Sequence, residues 1–205
     1  MINKRTARIC VLLVLAGILL LALFSCADEP APQWVDYDGE RLSDYLSPVV
    51  YQGLRVTLTD ASETRGAAIF RAVLSGAEVI EYPEEQVAYY AEQIRAEYRY
   101  LAEREDMSYE ELLALRGITE QTIEVEAKEM VKRDLCLLYI QRDAAITLSE
   151  EERQAHYDRY ARVYVEQYGY DRAYVDANLQ EEIRDSMLFD KTMEYLILHN
   201  EVTNG

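Results

Sequence analysis

The sequence predicts an all-α fold, an elongated bundle of long helices preceded by one short strand and a disordered tether. Three observations predict it. From Pro83 onward apolar residues recur at helical and not at alternating spacing. Ser108, Ser149, Asp171 and Asn178 stand where helices would begin. Gly117 and Gly169 stand where helices would stop.

The elements follow in chain order. Tyr51 to Leu58, "YQGLRVTL", alternates and is rich in β-formers, so it reads as a strand. A short helix is expected from about Ser62 to Leu74, after which "SGAEVIEYPEE" breaks the chain. Pro83 suits the first turn of the next helix, to about Glu105, because its missing N–H would have no partner there anyway. Val87, Tyr90, Ile94, Tyr98 and Leu101 form one stripe along it.

Ser108-x-x-Glu111 is a capping box: the serine oxygen accepts a free N–H and the glutamate reaches back. It opens a short helix ending near Gly117. A long helix from Thr119 to about Ala145 carries Ile123, Ala127, Met130, Val131, Leu135 and Leu138 as its stripe. Between Leu135 and Ile140 it is apolar almost all round, which predicts its deepest burial there. Ser149-x-x-Glu152 opens a helix with Tyr157, Tyr160, Ala161, Tyr164 and Tyr168 on one face, ending at Gly169. Asp171 caps a short turn, and Asn178-x-x-Glu181 opens the last helix, to about Asn200, with Leu179, Ile183, Met187, Met193 and Leu196 inward. Two helices of over 20 residues would span roughly 35 Å.

The N-terminal region is of another kind. Lys4, Arg5 and Arg8 precede an apolar run from Ile9 to Phe24, with no acid before Asp28. About 16 residues rise roughly 24 Å, short of the ~20 residues that a stable span needs. Basic flank, short apolar core and small residue describe a secretory leader, residues 1–25. Leu23-Phe24-Ser25-Cys26 resembles the bacterial lipobox, in which the cysteine thiol takes a diacylglyceryl group and becomes the new N-terminus. The other reading is an uncleaved single-span anchor. Two acyl chains hold a protein at a membrane where one is marginal. The acidic, proline-bearing stretch that follows reads as a solvated tether, residues 26–45, ahead of a strand-and-helix segment, 46–76, and a helical domain, 77–205.

A formal charge of -17 argues against a nucleic-acid partner, because phosphates need Lys and Arg. Loss of the three basic residues of the leader would take it to about -20. With Cys10 in the leader and Cys26 lipidated, only Cys136 remains, so no intramolecular disulfide is expected and Cys136 reads as a small buried apolar residue. His156 and His199 lack ligand spacing, and neither a metal site nor a cofactor is expected. No catalytic constellation emerges: Glu84, Glu85 and Glu150 to Glu152 lie in first helical turns, where they favour the positive end of the helix dipole.

Tyrosine is the anomaly, with 17 Tyr against 3 Phe and 1 Trp. The two aromatic faces, Tyr90, Ile94, Tyr98 and Leu101 on one helix and Tyr157, Tyr160, Tyr164 and Tyr168 on another, are candidate surfaces for apolar segments of other chains. The alternative is that they are core, which would leave Tyr89, Tyr100 and Tyr170 on the opposite faces to meet a partner.

Four segments resemble the C-terminal domain of trigger factor, the bacterial folding chaperone: "AEVIEYPEEQVAYYAEQI", "MSYEELLALRGITEQTIEVEAKEMVKRDLCLLYI", "ITLSEEERQAHYDRYARVYVEQYG" and "MLFDKTMEYLILHNEV". They stand in family order from about Ala77 to Val202. The resemblance implies a bundle with projecting arms that cradle unfolded chains without ATP. Segments resembling the family's basic ribosome-docking domain and its prolyl isomerase domain do not occur, so it implies client holding without ribosome docking and without enzyme activity. Exported chaperones of the SurA and PrsA type share a related helical cradle. The expectation is a lipid-anchored holdase facing outside the cytoplasm and assisting the folding and transport of secreted polypeptides. An adaptor lipoprotein with one envelope partner is the second reading, and a residual isomerase the third.

Overall fold

The computed structural model describes residues 42–59 and 62–203. The leader, the tether up to residue 41 and Cys26 lie outside the described residues. Within them the chain is all-α, as the sequence predicts, with eight helices and one pair of short strands. In order these are α1 Leu42–Tyr45, β1 Arg55–Thr57, α2 Arg65–Gly76, α3 Glu84–Arg104, α4 Tyr109–Arg116, α5 Glu120–Asp143, α6 Glu150–Tyr168, α7 Arg172–Asn178, α8 Gln180–Leu198 and β2 Glu201–Thr203. They form two compact units, one from residues 42–48 and 78–135, the other from 49–77 and 136–203.

The first unit is built on α3, α4 and the part of α5 up to Leu135. Both predicted ends of α4 are present. Ser108 Oγ accepts from the Glu111 N–H at 3.2 Å, and Glu111 accepts in return from the Ser108 N–H at 2.8 Å. Gly117, at φ 66°, closes the helix in the left-handed conformation that a side chain disfavours. Side-chain bonds from Tyr90 to Asp134 and from Arg95 to Glu120 set α3 and α5 antiparallel. Ile123, Ala127, Val131 and Leu135 of the predicted stripe are fully buried, while Met130 is only partly so. Two findings correct the expected tether end. Leu42 is buried in a short helix, Leu42–Tyr45, and Leu46 bridges to Val79, so residues 42–45 are helical and not part of an extended tether.

The second unit packs α2 and α6 against α8, with α7 and the strand pair at its margins. Cys136 and Ile140 are fully buried as their all-apolar stretch predicts, but Leu137, Leu138 and Tyr139 are only partly so. Ser149 and Glu152 complete the second capping box, and Gly169, at φ 73°, ends α6.

Three expectations are corrected here. The strand is shorter than Tyr51–Leu58, because Gly53 at φ 69° turns the chain before Arg55. Asn178 does not cap α8: it is the last residue of α7 and its side chain donates back to the Tyr174 carbonyl at 3.0 Å, so Leu179 opens α8 with no side-chain cap. The stretch after Leu198 is not simply a helix end, since Glu201–Thr203 forms β2, parallel to β1 in the register Arg55–Glu201, Val56–Val202 and Thr57–Thr203. A three-residue strand leaves too little alternation to read from sequence.

Candidate functional site

On α3, Tyr90 and Ile94 are 7% and 6% exposed and belong to the core of the first unit. Tyr98 and Leu101 are half-buried. On α6, Tyr164 is 4% exposed and belongs to the core of the second unit, while Tyr157, Tyr160 and Tyr168 are half-buried. Tyr90, Ile94 and Tyr164 therefore pack in the cores and leave little surface for a partner. Of the opposite-face set, Tyr100 is exposed and Tyr89 and Tyr170 are half-buried.

The hydroxyls explain why these positions are tyrosine. Each ring seals the edge of a core, and its oxygen reaches a carboxylate beyond it. Tyr51 donates to Asp143, Tyr90 to Asp134, Tyr157 to Asp176 at 2.9 Å and Tyr160 to Asp190 at 2.5 Å. Burial, then the Asp134 charge, pushes the Tyr90 phenol well above the ordinary tyrosine range, and burial followed by the bond to Asp143 does so for Tyr51. Phe in these places would leave the carboxylates without these donors. A chain of charge -17 uses phenols to tie down part of its acid.

Each unit also carries a concavity of its own. In the first, α3 and α5 border an open groove of about 860 Å³. Val87, Ala88 and Ala91 give it an apolar lining, with Tyr82 beside them. Its cations are committed to neighbours: Arg95 lies 2.9 Å from Glu120 and Lys128 2.6 Å from Glu124. In the second, α6, α7 and α8 border a pocket of about 400 Å³ with Tyr157, Ile183 and Met187 among its lining. Arg172 pairs there with Asp158 at 2.7 Å and Asp176 at 2.8 Å, and its guanidinium lies 5.6 Å from the centre of the Tyr157 ring. Of the eight candidate aromatic and aliphatic residues, Tyr157 alone lines either concavity. Val87, of the stripe along α3, lines the groove as well, beside the small residues Ala88 and Ala91. Their spacing of three was the available signal.

Further apolar surface lies outside the concavities. Leu115 is 70% exposed in the first unit and Leu198 80% in the second. Tyr170 and Tyr174 stack at 5.4 Å beside the Gly169 turn. Such surface can hold apolar segments without chemical transformation. Among the described residues no group of three or more His, Cys, Asp and Glu is placed to hold a metal ion, and no helix is long and apolar enough to cross a membrane. Cys136 is a free, buried thiol.

Among known families, the one described as bacterial trigger factor protein (TF) C-terminus matches the chain over residues 58–198. No curated protein and no solved structure matches the chain.

Proposed function

We propose, for a chain that belongs to the bacterial trigger factor C-terminal family, a lipid-anchored holdase that binds unfolded secreted polypeptides outside the cytoplasm. The family gives the coarser part, chaperone-like binding of unfolded chains by a domain that is not itself catalytic. The observation that carries the reading is the open groove on α3 and α5, whose apolar lining of Val87, Ala88 and Ala91 is offered to whatever enters. A client side chain burying about 100 Å² there gains ~2.5 kcal/mol before ordering costs. Several such contacts must act together, so affinity is micromolar at best. Anchoring rests on the lipobox-like Leu23 to Cys26 and on the basic, apolar leader before it.

Two experiments test the two halves. The chain at stoichiometric ratio should suppress aggregation of a denatured test protein. Ala88→Trp, at an exposed position of the groove, should weaken that suppression with the melting curve unchanged. No suppression by folded protein sinks the holdase. For the anchor, Cys26→Ala should abolish lipidation and change membrane retention or processing, and normal retention with normal mature mass rejects it.

A further inference from the structure

We propose that the outer edge of β1 is a second, main-chain-reading site, which takes an extended segment of an unfolded client as a third strand. This rests on the holdase reading and adds a mode of contact to it.

The pairing of β1 with β2 decides which groups are free. Leu54 accepts from the Glu201 N–H at 2.9 Å, and the Leu58 N–H donates to Thr203 at 3.0 Å. In a parallel ladder alternate residues of one strand turn their N–H and C=O toward the neighbour. Leu54, Val56 and Leu58 therefore face β2, and Arg55 and Thr57 turn theirs outward. Both are exposed residues, and among the described residues neither N–H has an intramolecular acceptor. The opposite edge is different, because the outward carbonyl of Val202 on β2 already accepts from Arg65 Nη2 at 3.4 Å. The helix α2 packs on both strands. A helix that touches both lies across a face of the sheet, the side on which Val56 is buried, and not along the β1 edge. Among the described residues, a side chain reaches one edge and none reaches the other.

The geometry selects the occupant. Outward groups two residues apart repeat at about 6.6 Å, a spacing that only an extended backbone matches. The side chains beside the edge are electrically balanced. Arg55 pairs with Glu201 at 3.0 Å, and the hydroxyls of Thr57 and Thr203 lie 3.3 Å apart. On a chain of charge -17 this strip repels neither acidic nor basic segments. A three-residue edge covers far less than the ~800 Å² per partner of a stable interface, so a second copy gains too little here to dimerise. A transient client, held at several weak points, fits.

Amide hydrogen exchange on the full chain tests this, with reduced, carboxymethylated lactalbumin as a permanently unfolded probe and anisotropy reporting its binding. The expected result is slowing of the Arg55 and Thr57 amides by ~10-fold at saturation, while Val56 and Leu58, already bonded, stay unchanged. Probe binding with no change at Arg55 and Thr57 overturns the edge site and leaves the holdase standing. No probe binding overturns both. Slowing that follows the chain's own concentration without probe assigns the edge to a second copy and overturns the client. As a second arm, Thr57→Pro removes one outward N–H without touching the ladder and should weaken probe binding at least ~3-fold, whereas Thr57→Val should not. If Thr57→Pro fails to fold, the exchange measurement on the unaltered chain decides alone.

Discussion

The phenol of Tyr90 on α3 donates to the carboxylate of Asp134 on α5, 44 residues further along the chain. Tyr90→Phe keeps the ring and removes the donor, so stability should fall by about 1 kcal/mol. Burial and Asp134 raise the phenol's folded pKa above its unfolded 10, so the contribution is complete below pH 10 and is lost as pH rises beyond it. Denaturant titrations at neutral and alkaline pH check both points: the Phe variant should lose less stability above pH 10 than the parent.

Tyr164 and Tyr160 should separate core from margin on one helix. Tyr164 is buried, and Tyr164→Ala should cost about 3 kcal/mol or more. Tyr160 is half-buried with its oxygen on Asp190, so Tyr160→Ala should cost clearly less. Thermal melts of the two variants decide it, and equal losses would contradict the placement.

Glu152 carries two duties at the start of α6. It accepts from the Ser149 N–H at 2.8 Å and from Lys191 on α8 at 2.6 Å. The Lys191 bond, then the Ser149 backbone, holds its carboxyl at about 2, against 4.5 unperturbed. A lowered folded pKa gives stability that is present above pH 4.5 and lost as pH falls toward 2. Lys191→Met should flatten the melting temperature's dependence on pH across that window.

Gly117→Ala and Gly169→Ala place a Cβ on residues at φ 66° and 73°. Each should cost about 1 to 2 kcal/mol, since L-residues are strained in that conformation. Denaturation midpoints that do not move would show that these turns relax.

The helices were legible in sequence where chemistry is local. Ser108 with Glu111, Ser149 with Glu152, and the glycines that follow each fix an end within a few residues of themselves. What stayed hidden depends on partners far away. Asn178 has the right neighbours for a cap, yet the chain uses it to end α7. Glu201–Thr203 is a strand only because Arg55–Thr57 lies beside it. Tyr90 and Tyr98 share a stripe, but Tyr90 is in the core and Tyr98 at its margin, a difference set by what α5 brings opposite them. Of the groove's apolar lining the stripe held Val87 alone, since Ala88 and Ala91 are small residues that a search for large apolar ones passes over.

The pairing of β1 with β2 also orders events during synthesis. Its partners, Arg55 with Glu201 and Thr57 with Thr203, are separated by almost the whole described chain. The first unit needs little beyond Leu135 and can close while the C-terminal third is still being made. The second holds residues 49–77 waiting for 136–203, and its sheet forms only once Thr203 has emerged. Contacts this remote in sequence slow folding, because a long loop must close before any bond repays it. A chain released at Asn200 would therefore leave β1 without its neighbour.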